Sequence, residues 1–484
     1  METIWTRGIE MPSFCALEGR ISADACVIGG GLCGLLTAHF LSEAGLDTVL
    51  LESGRIACGT SGRTTAKLTA QHGLCYHRLV EKFGQEQAQL YAEANRRAID
   101  DYRALERSLD EDFELRDCGT WLYASGDVGV DALERECSAA RLCGFDAELS
   151  EDTGLSFAKL GLRFDGQATF QPMRVMAALA RRLKIFENSR VLEVNGRSVR
   201  TENGEIEAKI VVFATRFPFV NFPGFYFMRM HQERDYVLEM QGNHRISECF
   251  LGIEEAGVSL RPCGTDSLLI GGSSHRAGME GSGRYEALRA FAAQHFSELR
   301  EVCSWSAEDC VTVDGVPYIG RFAPTAPDGW LVATGFGKWG MTTSMVAARL
   351  VTDIACGRRN EYAELFDPAR FKPSAGARML MEETAMSAKH LTRSVFAPPD
   401  GFAVELQKGE AAHIEANGRK VGAYRDDDGR LWLVEPRCPH LGCELVWNGD
   451  EKSWDCPCHG SRFGYDGAQL DGPAQIGIAA RGEE

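Results

Sequence analysis

Two short runs toward the end of the chain hold its densest chemistry. Cys438-Pro-His440-Leu-Gly-Cys443 is followed by Cys456-Pro-Cys458-His459-Gly-Ser461. Each run offers a thiol and an imidazole close together on a loop, and iron accepts both of these soft and borderline ligands. Two Cys can hold one iron of a 2Fe–2S cluster and two His the other. A tetrahedral zinc site would use the same Cys2His2 set. The spacing argues for iron, because each His lies within three residues of a Cys on paired loops. The expected metal ligands are therefore Cys438, His440, Cys456 and His459, which leaves Cys443 and Cys458 over.

A second constellation lies near the start. Gly29-Gly-Gly31-Leu-Cys-Gly34 follows the apolar run Cys26-Val27-Ile28, opens a helix over Leu35–Ala44, and precedes a strand over Thr48–Leu51 with Glu52 at its end. Glycines there let backbone NH groups approach a pyrophosphate at a helix N-terminus, and Glu52 can bond ribose hydroxyls. This βαβ unit fits a dinucleotide and does not by itself separate FAD from NAD. No second Gly-x-Gly-x-x-Gly is present, so a separate NAD(P)H site is not expected.

These sites must be positioned by more than one domain, since 484 residues exceed a single core. Hydrophobic residues at 44% and charged residues at 25% are ordinary for a globular chain. A net charge of −17 disfavours nucleic acid and anionic membrane and suits small-molecule chemistry or a basic protein partner. No apolar run is long enough to span a membrane, and residues 1–20 lack a secretory h-region, so a cytoplasmic protein is expected. Of the 17 Cys, those from Cys15 to Cys356 lack ligand-like spacing and read as buried apolar filler. Helical patterns recur at 76–110, 285–296 and 341–354, and strand patterns dominate 225–275. After residue 400, short strands separated by Asp428-Gly429, Asn448-Gly449 and Asp466-Gly467 set the rhythm of a small all-β unit.

Resemblances join these pieces. The two Cys/His runs resemble Rieske proteins, over roughly 397–484. The resemblance to the respiratory and photosynthetic branch implies a disulfide between Cys443 and Cys458, a pair that ring-hydroxylating Rieske oxygenases lack. It also implies that Ser461 bonds a bridging sulfide. Where that branch has a Tyr bonding a ligand sulfur, this chain has Phe463. Hydrogen bonds to sulfur raise the potential, so a midpoint below the top of the Rieske range of about −150 to +300 mV is expected, with Tyr465 a nearby hydroxyl that could compensate.

The segments Gly59-Thr60-Ser61-Gly62-Arg63-Thr64-Thr65-Ala66-Lys67, Asp314-Gly-Val-Pro317-Tyr-Ile-Gly320 and Thr334-Gly335-Phe336-Gly337-Lys338-Trp339-Gly340-Met341 resemble the FAD-binding segments of D-amino-acid-oxidase-type flavoproteins, over about 23–356. The implied FAD contacts are Gly29, Gly31, Gly34, Glu52, Thr60, Ser61, Arg63, Thr64, Thr65, Ala66, Gly335, Phe336, Gly337, Lys338, Gly340 and Met341. Ala214-Thr215-Arg216 departs from the Ala-Thr-Gly frequent in that family.

The expected fold is an α/β FAD-binding Rossmann-like domain with an inserted α+β substrate domain, followed by a small all-β Rieske domain. The first covers 1–364, with FAD-binding parts at about 23–75, 160–224 and 306–360 and substrate-domain parts at about 76–159 and 225–305. A linker follows at 365–396, and the Rieske domain spans 397–484. Together they imply a flavin enzyme that oxidises the C–N bond of a small amine or amino acid and passes electrons singly through the cluster to an acceptor, which could be a protein. The alternatives are an electron-transfer component without a substrate of its own, and a structural Rieske domain with oxygen reoxidising the flavin.

His72, just after the flavin loop, is a candidate proton acceptor. Its pairing with His77 in a His-x4-His mononuclear iron site is rejected, because no acidic residue lies just upstream. Lys338 is a candidate for contacting flavin N5 or activating oxygen. The Val311–Gly315 segment lacks the Arg that binds the substrate carboxylate in related oxidases. Arg229 and Arg261 are the substitutes, which leaves an amino-acid substrate in doubt.

Overall fold

The computed structural model describes residues 3–254, 257–279, 281–370, 406–416 and 418–480. The apolar runs found in the sequence build a parallel core. Gly19–Ile28 pairs in parallel with Thr48–Leu51 on one side and Gly204–Phe213 on the other, and Trp330–Thr334 continues the sheet beyond Gly204–Phe213. Thr48–Leu51 and Trp330–Thr334 are buried along their whole length, as strands covered on both faces must be. The helices Leu32–Glu43 and Gly340–Ala355 pack against each other in the main hydrophobic core.

A second sheet of nine strands stands beside this one. Its long antiparallel ribbon joins Arg300–Thr312, Met230–Gln241 and Ser267–Arg276. Two boundaries drawn from the sequence move here. Leu160–Thr169, assigned to the FAD-binding part, pairs with Arg116–Ala124 in the second sheet, and most of Arg300–Thr312 pairs with Met230–Gln241. The helical region at 76–110 is two helices, Tyr76–Phe83 and Gln85–Leu109, broken at Gly84 with φ +86°.

The linker expected at 365–396 begins later than drawn. Leu365 and Phe366 are buried in the short helix Ala363–Phe366, and Arg370 is paired with Asp314 at 3.0 Å. Residues 371–396 lie outside the described residues, as do 397–405 of the expected Rieske span. Beyond them are two small antiparallel sheets. One holds Ala411–Ala416, Arg419–Arg425 and Leu431–Val434. The other holds Val446–Asn448, Ser453–Asp455, Arg462–Gly464 and Gln469–Asp471. Among the described residues no helix is long and apolar enough to cross a membrane.

Candidate functional site: a flavin cavity closed by the iron–sulfur domain

The glycine turn sets how closely helix and strand can approach. Gly29 has φ +112°, and a Cβ there would lie 2.5 Å from the carbonyl oxygen of Ala214. A Cβ on Gly34 would lie 1.8 Å from the carbonyl oxygen of Gly29. Only glycine fits both positions, and the N-terminus of Leu32–Glu43 is thereby pressed to the cavity edge. Glu52 accepts from the backbone NH of Gly30 at 2.7 Å and of Gly54 at 2.8 Å, which fixes its carboxylate at the end of its strand. Ser61 Oγ accepts from the Leu32 NH at 3.0 Å, tying the next loop to the same helix.

These groups line one cavity of about 490 Å³. Gly29, Gly31, Glu52, Thr60, Ser61, Arg63, Thr64, Thr65, Gly335, Phe336, Lys338, Gly340 and Met341 contribute to its wall. Three expected contacts do not. Gly34 is used in packing, Ala66 is buried behind the loop with φ +53°, and Gly337 takes the turn before the helix with φ +56°. The glycine cradle, the anchored carboxylate and the helix N-terminus suit the pyrophosphate and ribose of FAD.

His72 lies outside the cavity wall. Its Nδ1 meets the Tyr91 hydroxyl at 2.7 Å, its Nε2 meets the Thr69 carbonyl at 2.7 Å, and its ring stacks on Trp339 at 4.7 Å. Burial lowers its pKa to about 3. With both nitrogens engaged, His72 braces the loop and has no nitrogen left to take a substrate proton. Lys338 does face the cavity, in a left-handed conformation with φ +74°. Its Nζ is held by Glu233 at 2.9 Å and Asp235 at 3.1 Å. Arg229 lies over the ring of Tyr318 and Arg261 over that of Trp5, and neither lines the cavity.

The other wall comes from the far end of the chain: Gln469–Gln475 complete the cavity. The domain carrying them is docked by buried charges. Arg234, with no exposed side-chain surface, pairs with Glu308 of its own half and with Asp455 at 3.6 Å and Glu451 at 3.8 Å. Arg462 reaches Glu451 at 3.1 Å, Asp471 at 3.4 Å and Asp455 at 3.5 Å. Arg216 meets Asp471 at 3.0 Å, and it also donates to Thr60 Oγ1 at 3.2 Å within the FAD loop. Burial pushes Glu308 up to about 7, Arg234 opposes the rise and Asp471 adds to it. The Asp450 carboxylate accepts from the NH groups of Gly283 and Arg284 at 3.0 and 2.7 Å, sitting on the N-terminus of the helix Arg284–His295.

The four expected metal ligands come together on two adjoining loops. The Cys438 and Cys456 thiols are neighbours, and the rings of His440 and His459 lie 4.9 Å apart. His440 Nε2 donates to Asn221 Oδ1 at 2.9 Å. That bond leaves Nδ1 as the basic nitrogen, and His440 Nδ1 is buried without a hydrogen-bond partner, as a metal-binding nitrogen would be. Cys443 and Cys458 form a disulfide, with Cα atoms 6.7 Å apart, that ties the two loops together. Ser461 is fully buried beside Cys438, and Phe463 is fully buried with no donor to offer. Tyr465 packs on Tyr424 and Trp432 of the neighbouring sheet. The histidine edge faces the first half of the chain, with Phe227 5.8 Å and Phe217 6.3 Å from the His459 ring.

The comparisons agree with this geometry. Residues 24–354 match the FAD dependent oxidoreductase family, and residues 398–480 match the Rieske [2Fe-2S] domain. The Rieske 2Fe-2S iron-sulfur protein YhfW of Bacillus subtilis (strain 168) is 35% identical over 489 residues, covering 98% of this chain and 96% of its own. Gamma-glutamylputrescine oxidoreductase of Escherichia coli (strain K12) is 26% identical over 215 residues, 42% of this chain and 50% of that protein. The crystal structure of glycine oxidase from Geobacillus kaustophilus superposes with a TM-score of 0.62 at 18% identity, covering 72% of this chain and 99% of that one, and so shares the fold. FAD and one 2Fe–2S cluster are the cofactors that these domains bind. The chain belongs to the FAD dependent oxidoreductase family, with a Rieske [2Fe-2S] domain joined to it.

Proposed function

We propose that the protein oxidises the C–N bond of a small amine or amino acid and delivers the electrons singly, through its Rieske domain, to an acceptor. FAD supplies two-electron oxidation, and the iron–sulfur cluster carries one electron at a time. The chain's own residues shape the rest. Gly29, Gly31 and Glu52 would hold the nucleotide end, Thr60, Ser61, Arg63, Thr64 and Thr65 with Gly335, Phe336, Gly340 and Met341 would hold the ring end, and Lys338 stays charged between Glu233 and Asp235, whose attraction outweighs its burial. Gln469–Gln475 wall the remaining side.

One observation carries this reading. The Rieske domain forms part of the wall of the flavin cavity and is fastened to it at Arg216 and Asp471. An electron-transfer domain built into the wall needs no diffusional encounter to receive electrons. The test replaces Cys438 with Ser in the FAD-loaded protein. Substrate turnover with a one-electron acceptor such as ferricyanide should collapse, while substrate still bleaches the flavin. Unchanged turnover would take the cluster off the path. Cluster reduction seen only after a partner protein is added would favour an electron-transfer component instead.

A further inference from the structure

Among the described residues, most charges on the cavity wall are answered by the protein itself. Glu52 is held by two backbone NH groups, Lys338 by two carboxylates, and Arg216 by Asp471. Among the carboxylates of the wall, Asp309 is the exception. Its strand, Arg300–Thr312, alternates sides: Glu308 points into the interdomain ion network, so Asp309 points the other way. It shares that face with Ala307, also on the cavity wall, and with Trp305, whose Nε1 donates to the carbonyl of Arg63 in the FAD loop at 2.8 Å. Among the described residues the Asp309 carboxylate makes no hydrogen bond and no ion pair. Asp235 beside it is a like charge, and Lys338 acts on it only from beyond pairing distance.

A half-buried carboxylate with no partner of its own is stabilised when a ligand supplies the cation. Among the described residues, Arg63 and Arg190 on the wall have no carboxylate partner, but Arg63 belongs to the FAD loop, and Arg190 follows Ser189, whose NH donates to the Glu52 carbonyl at the nucleotide end. Lys67 lines the cavity, but its ammonium already donates to Ser259 Oγ and to the Phe250 carbonyl, and burial, with Arg261 close by, lowers its pKa. A substrate carboxylate would meet Asp309 and Asp235 as repulsion.

We propose that Asp309 is the receptor for a substrate ammonium group, so that the substrate is an aliphatic amine with no carboxylate on the reacting carbon. This rests on the C–N oxidation proposed above and narrows it.

The test uses two isosteric probes that cannot be oxidised at the C–N carbon, tert-butylammonium and pivalate, titrated calorimetrically into the protein loaded with FAD and cluster. The cation should bind and the anion should not. Asp309→Asn should weaken the cation roughly tenfold or more, and Asp309→Glu should restore part of the loss. Binding of pivalate as tight as that of tert-butylammonium, binding of neither, or an unaffected Asp309→Asn overturns the proposal. A parallel anaerobic test with butylamine and alanine separates the two levels. Flavin bleaching by alanine alone removes this proposal and leaves C–N oxidation standing, whereas bleaching by neither removes both.

Discussion

The guanidinium of Arg216 donates to Asp471 Oδ1 at 3.0 Å across 255 residues of sequence. Arg216 follows the strand Gly204–Phe213 of the flavin sheet, and Asp471 ends the last strand of the iron–sulfur domain. Both line the flavin cavity. Where related flavoproteins often place a glycine, this chain keeps the left-handed backbone, φ +65°, and adds a side chain that clamps the second domain. The small cost of a non-glycine residue in that conformation is offset by a half-buried, charge-assisted bond.

Arg234 should be the costliest single loss in the docking network. Arg234→Met leaves Glu308 and Asp455 buried with one cationic partner fewer each, and removing one member of a buried ion pair costs about 3–5 kcal/mol. Thermal unfolding of the loaded protein should show a lower first transition, with the iron–sulfur absorbance lost early. Arg216→Ala should cost less, because its side chain is 22% exposed.

The disulfide closes a separation of 15 residues between the two cluster loops. A loop of that length corresponds to about 3 kcal/mol of chain-entropy stabilisation. Cys443→Ser should therefore lower the unfolding midpoint of the iron–sulfur domain and speed loss of the cluster at elevated temperature, followed by its visible absorbance. Equal cluster half-lives in the two proteins would remove the disulfide's part.

Phe463 sets an expectation for the cluster's potential. It is fully buried and has no donor, and Tyr465 is committed to Tyr424 and Trp432. Phe463→Tyr should raise the midpoint. A neutral hydrogen bond of about 1 kcal/mol corresponds to roughly 40 mV for one electron. A redox titration followed by EPR reads the shift, and a wild-type midpoint near the upper end of the Rieske range would contradict the reading.

Amine affinity should depend on pH through Asp309. Burial, then the charge of Asp235, raise its pKa to about 6, against the pull of Lys338 and Arg216 and with Glu233 adding to the rise. A raised carboxylate pKa means the protonated form persists to higher pH, and that form attracts no cation. Alkylammonium ions stay charged to well above neutrality. Binding should thus be full well above pH 6, be half lost at about pH 6, and weaken further below it. Titrations of tert-butylammonium between pH 5 and 8 (roughly the window that brackets this pKa) should show the slope in wild type and a flat line in Asp309→Asn.

What was readable in the sequence follows how locally each feature is encoded. Cys438, His440, Cys456 and His459 sit on two short loops with diagnostic neighbours, and Gly29, Gly31 and Glu52 belong to one βαβ unit. Features made by long-range pairing were hidden. Arg216 stood out as a departure, but its partner Asp471 belongs to another domain. Asp309 gave no signal until the register of Arg300–Thr312 separated it from Glu308. His72 looked catalytic because it follows the flavin loop, yet that loop turns its ring inward onto Tyr91 and Thr69. Leu160–Thr169 was assigned by position along the chain, while hydrogen bonds to Arg116–Ala124 place it in the other sheet.

The most direct measurement of the central claim is a rapid-freeze experiment. The fully loaded protein is mixed anaerobically with an excess of a reducing amine, and optical and EPR spectra are taken over a single turnover. If the domain held at Arg216 and Asp471 is the electron exit, flavin bleaching is followed within the same turnover by the reduced Rieske signal, and Asp471→Asn slows the second phase without altering the first. Complete flavin bleaching with a cluster that stays oxidised throughout would contradict the account.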